Sequence, residues 1–316
     1  MRKSHFILGL LSSVAALAVG SSPANSREPA SPVTVPVHMV VTVEAKHGTE
    51  VPDVRREEVM VYQGHDRNRA EVTGWLPLQG DHAGLEMFVL LDDASNVDIG
   101  PQLEDLRRFI ASQPTTTSIG VGYMRDGAVD IAQNLTTEHA QAAKAVRLPL
   151  GNIGALASPY LSIVDLIKRW PESRVRREIL LLSDGIDRFG GVGPGNPYVD
   201  SAIERAQRAG VIIYSIYASG AGHYGHSFWR INWGQNYLSE LADRTGGEAY
   251  FLGFDTPVSF SPYLDDVTRR LSHQYLLEFL AKPEKKAGLQ SVKLRAEQPN
   301  AELVAADRVY VPAETE

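Results

Sequence analysis

Cysteine is absent from all 316 residues. That excludes a disulfide framework, thiol chemistry and a thioether-linked lipid. Positive charge is also scarce: 31 Lys and Arg face 38 Asp and Glu, the formal net charge is −7, and no local cluster of cations forms a basic stripe. A surface of that sign attracts neither nucleic acid nor anionic lipid. Past the first 26 residues no window could span a bilayer, which takes about 18 or more unbroken apolar residues. No serine stands in a Gly-x-Ser-x-Gly elbow and no histidine is tied by spacing to a nucleophile, so nucleophilic hydrolysis has no motif to rest on. Internal repeats and low-complexity tracts are missing too.

What is present is the composition of a folded protein, 43% apolar and 22% charged, long enough for one large domain or two modest ones. The start, MRKSHFILGLLSSVAALAVGSSPANSREPA, has two cations, an apolar stretch from Phe6 to Val19, then small residues. This is the layout of a secretory signal peptide, with cleavage expected after Ala24-Asn25-Ser26 or earlier at Ala16-Leu17-Ala18. Ser12, Ser13 and Gly20 interrupt it as a membrane anchor. Residues 1–26 therefore predict export, to the periplasm, the cell surface or the medium, with no stable membrane insertion after the signal is removed.

Residues 33–80 alternate apolar and polar positions, as in VTVPVHMVVTV, EEVMVYQG and RAEVTGWLPL, and read as β-strands. Residues 263–316 do the same in HQYLLEFLAK, SVKLRAE and AELVAADRVYV. These two ends predict a smaller β-rich module, a single sandwich interrupted by an insertion. Between them, over 84–262, short apolar runs (MFVLLD, SIGVGYM, ILLLSDG, VIIYSIYA, EAYFLG) alternate with punctuated helices, the pattern of a doubly wound α/β sheet covered on both faces. PQLEDLRRFIASQ starts on Pro101 and stops before Pro114; SPYLSIVDLIKRW has Ser158 as N-cap; NPYVDSAIERAQRAG runs from Asn196 to Gly210. Leu161, Val164, Ile167 and Trp170 make an apolar stripe for packing. Asp126-Gly127 marks a hairpin, which makes AVDIAQ an antiparallel edge strand.

Two of the buried strands end on acids, FVLLDD at Asp92 and ILLLSDG at Asp184. Ligands of doubly wound sheets bind outside the carboxyl ends of the strands, where the winding reverses. Two carboxylates meeting there repel one another, and a divalent ion with oxygen ligands would relieve the repulsion. Ser95, Asn96 and Ser158 could complete the shell. The bland reading of the same acids is that they cap loops and helix starts, with Asp93 solvated.

This strand-to-turn arrangement, the later Ser at a helix entry and the strand ending in SDG resemble the von Willebrand factor A domain and its metal-ion-dependent adhesion site. The strand-rich ends are similar to those of bacterial secreted proteins grouped as von Willebrand factor A-related. The resemblance implies a doubly wound sheet, a Mg²⁺ (or Mn²⁺ or Ca²⁺) held by Asp92, Ser95, Asn96, Ser158 and Asp184, and a protein partner that supplies an acidic group to the open coordination position. The family's DxSxS is Asp92-Asp93-Ala94-Ser95-Asn96 here, so the third position has lost its hydroxyl and the fifth offers an amide oxygen. Ser162 rivals Ser158, and Asp93 or Asp187 could substitute.

GGVGPGNPY, residues 190–198, lacks the spacing and the lysine of a phosphate loop and reads as a loop beside Asp184. Residues 220–236, GAGHYGHSFWRINWGQN, read as one turn-rich loop; its His223 and His226 lack a third ligand for zinc. Its aromatics either pack on the domain or, through Tyr224, Phe228, Trp229 and Arg230, form a partner-binding rim. The resulting expectation is an exported, non-enzymatic binding protein. The alternatives are a scaffold whose metal-free domain binds through the aromatic loop, and a secreted paired-carboxylate hydrolase.

Overall fold

Strands and helices alternate through the middle of the chain because its apolar runs are too short to be buried helices and too continuous to face water on one side. The computed structural model describes residues 33–64, 67–151, 157–173, 175–191, 193–222 and 227–313. The expected signal peptide, residues 1–26, lies outside them, as do His223, Tyr224 and His226.

Strands β4 (Leu85–Asp92), β5 (Thr117–Arg125), β6 (Ala128–Thr136), β7 (Arg176–Ser183), β8 (Val211–Tyr217) and β9 (Ala249–Tyr250) form a sheet in the order β6-β5-β4-β7-β8-β9. All neighbours are parallel except β5 and β6, which the turn at Asp126-Gly127 joins as an antiparallel edge hairpin. Successive β4 side chains alternate between two cores: Met87, Val89 and Leu91 into one, Phe88 and Leu90 into the other. Helices α1 (Gly100–Ser112), α2 (His139–Lys144) and α6 (Ser261–Ser272) cover the first core. Helices α3 (Pro159–Arg169), α4 (Pro197–Ala209) and α5 (Phe228–Thr245) cover the second. Ser158 and Asn196 cap α3 and α4 as the sequence suggests, accepting from Leu161 N and Tyr198 N.

Three expectations about the helices need correction. The buried stripe of α3 is Tyr160, Ile163, Ile167 and Trp170, while Leu161 and Val164 are only half-buried. Its spacing of three, four and three residues follows the helix period more closely than the expected run of threes, and it turns the tyrosine into the core. Residues 228–236 are not loop but the first turns of α5. A helix, α6, also crosses residue 262, where only the end of the α/β segment was expected.

The remaining strands, β1 (Val35–Ala45), β2 (Val59–Gln63), β3 (Asn68–Pro77), β10 (Gln274–Ala281), β11 (Gly288–Ala296), β12 (Ala301–Val304) and β13 (Arg308–Val311), form one antiparallel sheet ordered β12-β1-β10-β3-β2-β11-β13. AELVAADRVYV is thus two strands at opposite edges rather than one. The sheet coils until β13 approaches β1 and β12 approaches β11, around a core that includes Val41, Val61, Phe279 and Val311. Residues 33–313 make one compact unit.

Candidate functional site

Winding reverses between β4 and β7, since β4 leads outward through α1 to β5 whereas β7 leads the other way to β8. The carboxyl ends of these two neighbours bring Asp92, the last residue of β4, beside Ser183, the last of β7, with Asp184 following directly. Both aspartates are buried. The chain thus brings the two acids to one mouth of the sheet, and each is already engaged. Asp92 accepts from Ala94 N on Oδ1 (2.9 Å) and from the Ser183 hydroxyl on Oδ2 (2.8 Å). Asp184 accepts from Ile186 N on Oδ1 (2.9 Å), and its Oδ2 lies 2.5 Å from Nη2 of Arg188. Burial pushes the Asp184 carboxyl above the usual carboxylate range and Asp92 pushes it the same way; the Arg188 guanidinium opposes both.

The other expected ligands have separate employment. The Ser158 hydroxyl caps α3, and Ser162 donates to the carbonyls of Ala128 and Ser158. Asn96 Oδ1 accepts from Asp98 N at 3.2 Å, capping the turn that leads into α1. Asp93, expected to be solvated or a substitute ligand, is buried and clamped by both terminal nitrogens of Arg147 at 2.7 and 3.0 Å. The Arg147 guanidinium in turn lies 3.6 Å from the Tyr123 ring centroid. Asp187 accepts from Phe189 N, Gly190 N and the Asn196 amide, which ties the 190–196 loop to the start of α4. Of the five expected ligands, Ser95 is the one whose buried hydroxyl has no hydrogen-bond partner.

A divalent ion needs several oxygens free to turn toward one point. Among the described residues no three acidic or histidine side chains are grouped to do that. Every oxygen of Asp92 and Asp184 already accepts from a donor, and a cationic side chain lies on one of them. As arranged, the donor set does not fit the metal that the family resemblance implies.

Residues that the sequence reading missed complete the site. Arg188 stands four residues after Asp184; the charge was visible in SDGIDR, but a turn in between leaves its direction unreadable. Gly220 and Gly234 are the other two. A Cβ on Gly220 would stand 2.2 Å from Asp184 Oδ2, and one on Gly234 would stand 2.1 Å from the Asp184 carbonyl oxygen. Absence of a side chain at each lets the segment after β8 and the second turn of α5 close onto the acid.

On the described segments around this buried cluster several apolar side chains are exposed, with Asp98 and Asp255 exposed among them. Trp229 is 72% exposed and Leu252 75%; Val97, Leu150, Phe228 and Phe254 are exposed as well. Phe228 and Phe254 meet with ring centroids 5.0 Å apart, joining the start of α5 to the segment after β9. Arg230 belongs to the same first turn of α5. A cavity of about 870 Å³ lies elsewhere, against the N-terminal ends of β7 and β8 and the strands β1 and β13, and neither aspartate lines it.

No family profile and no curated protein matches the sequence. Solved structures similar to the chain include an aerotolerance-related membrane protein from Bacteroides fragilis (15% identity, 60% of this chain and 98% of that one, TM-score 0.42). The vWF domain of the type V pili tip protein Mfa5 from Porphyromonas gingivalis is another (12% identity, 59% and 94%, TM-score 0.39). A third is the ArnB paralog VWA2 from Sulfolobus acidocaldarius (10% identity, 88% and 76%, TM-score 0.38). Von Willebrand factor A proteins are thus among the structures this chain is similar to. The architecture itself is the mixed, doubly wound α/β type expected, with a β-rich module beside it.

Proposed function

We propose that the chain is an exported binding protein that recognises a partner protein through the apolar rim at the carboxyl edge of its α/β sheet, without a bridging metal ion. One observation carries this reading. Apolar side chains from separate segments, after β4, before α3, at the start of α5 and after β9, are exposed together around one mouth of the sheet. Isolated exposed apolar residues are ordinary; clusters of them with aromatics mark interaction surfaces. A protein suits this rim better than an anionic membrane does, because the chain as a whole is acidic and Arg147, beside the rim, is paired with Asp93. Catalysis has weaker support: the two buried acids are each bonded to protein donors, Asp92 to Ser183 and Asp184 to Arg188, and neither lines the 870 Å³ cavity. Export rests on residues 1–26.

The test is photo-crosslinking from position 229 in intact cells of the native source, identification of the captured protein, and titration of the purified pair. Phe228→Ser with Trp229→Ser should weaken binding at least about tenfold, as expected when aromatic anchors are removed. Chelator should leave the wild-type affinity unchanged. Binding that is abolished by chelator, or indifferent to the double substitution, overturns the reading.

A further inference from the structure

Two carboxylates in a dry crevice need a cation, and this chain carries one on its own backbone. The Arg188 side chain is 4% exposed and the Asp184 side chain 1%. Nη2 lies 2.5 Å from one Asp184 oxygen and Nη1 3.5 Å from the other, so the planar fork spans the carboxylate. The turn that carries the arginine is held independently of that contact. Ile186 N donates to Asp184 Oδ1, and Arg188 N donates to the Ala157 carbonyl at 2.9 Å, beside the cap of α3. Gly220 closes from above, since any Cβ there would also fall 2.8 Å from Arg188 Nη2. Ser95 pairs with Gly220 across an isolated bridge, and its buried hydroxyl is unpartnered. An oxygen donor next to this lid therefore stands idle while the guanidinium neutralises the acid.

We propose that Arg188 is a tethered cation that takes the electrostatic part a divalent ion would otherwise play at Asp92 and Asp184, so that the wild-type crevice is closed to such ions and removal of the guanidinium opens a latent oxygen site of Asp92, Asp184 and Ser95. A tethered charge differs from a bound ion in kind. It cannot dissociate, it does not vary with metal supply, and its planar fork offers no open coordination position to a partner's carboxylate. The crevice is then fixed in one state, and recognition is left to the exposed rim. Without Arg188, the buried Asp184 would lose its cation while Asp92 still repels it, the condition under which oxygen ligands take up a hard cation.

The experiment uses the full chain with Arg188→Met, which keeps an unbranched apolar stem and loses the charged head, and Arg188→Met with Asp184→Asn, which also removes the acid. Each is titrated with Mn²⁺ and Mg²⁺ by calorimetry, and thermal melts are recorded with and without ion. Wild type should give neither heat nor a melting shift. Arg188→Met should melt lower than wild type, bind Mn²⁺ at least about tenfold more tightly than wild type does, and recover melting temperature as the ion saturates. The double variant should not respond. Should Arg188→Met fail to fold in chelator, refolding in Mn²⁺ decides: recovery supports the latent site and no recovery overturns it. Specific ion binding by wild type with a melting shift, or a folded Arg188→Met that takes up no ion, also overturns it. None of these readouts depends on a binding partner, so they stand whether or not the rim proves to be the recognition surface.

Discussion

Glu178 occupies a poor place for a charge. It is buried in the third position of β7, beside the seam where the α/β sheet meets the start of β10. Arg176 and Gln274 only partly offset the burial, and its carboxyl is pushed from the ordinary 4.5 up to about 7. The folded protein therefore holds a proton that the unfolded chain has already released. Stability contributed by this group is fully present below about pH 4.5, falls as pH rises, and is gone above about 7. The change is on the order of 3 kcal/mol at about 1.4 kcal/mol per pKa unit. Glu178→Gln, which resembles the protonated form, should match wild type near pH 4.5 and be the more stable protein at pH 8, by urea denaturation. Equal pH slopes in the two proteins would refute the assignment. At this scale Asp92 and Asp184 were legible because each directly follows a run of apolar residues that only a buried parallel strand explains. Arg188 was not legible, since its direction is set by a turn pinned to Ala157, a residue 31 positions earlier in the chain. Arg147 was hidden for the same reason: it reaches Asp93 from 54 residues away.

Helix elements were readable where their signals are local and obscure where another element supplies them. Helices α3 and α4 begin on their own Ser158 and Asn196 caps. Helix α6 has local start signals in Pro262 and in the Ser259 hydroxyl, which accepts from Ser261 N, but Asp105 of α1 also accepts from the Ser259 hydroxyl, Phe260 N and Ser261 N, so part of what fixes its start lies more than 150 residues upstream. The first turn of α5 misled because glycines precede it and aromatics crowd it. Its docking is what Gly234 permits. In an exposed helix a Gly-to-Ala change gains about 1 kcal/mol. Here the new Cβ would land 2.1 Å from the Asp184 carbonyl oxygen and 3.2 Å from Ile186, against backbone that the Arg188 turn holds in place. Steric cost wins, and Gly234→Ala should lose about 1–3 kcal/mol net in denaturant unfolding, the range for overpacked sites. It should also lower protection of the Asp184–Arg188 turn in hydrogen exchange. A stabilised variant would mean that α5 stands further from the acids than described.

Over the whole molecule, the two chain ends do not form separate halves. They interleave: β10, from the C-terminal part, separates β1 from β3, and β11 and β12 flank β2 and β1. Strand alternation announced strands at both ends of the sequence, but a single chain offers no signal for which strand lies beside which, because antiparallel neighbours need not be consecutive. The arrangement has a consequence for truncation. A chain ended at Ser272 strips β1 of both its neighbours, leaves β2 and β3 only each other, and removes Phe279 and Val311 from the core they share with Val41 and Val61. It also deletes Gln274, which joins Arg176 and Tyr214 across the seam. An isolated two-stranded hairpin is marginal in water, so residues 33–80 should become open to protease. Both α/β cores, in contrast, draw their buried side chains from residues 85–271. That part should keep its near-ultraviolet signal and a cooperative transition, at a lower melting temperature and with a smaller dependence on denaturant because less surface is exposed on unfolding. Limited proteolysis with mass mapping separates the outcomes: cuts confined to 33–80 fit an interleaved module, while a protected N-terminal segment in the shortened chain would mean that its strands pair without the C-terminal ones.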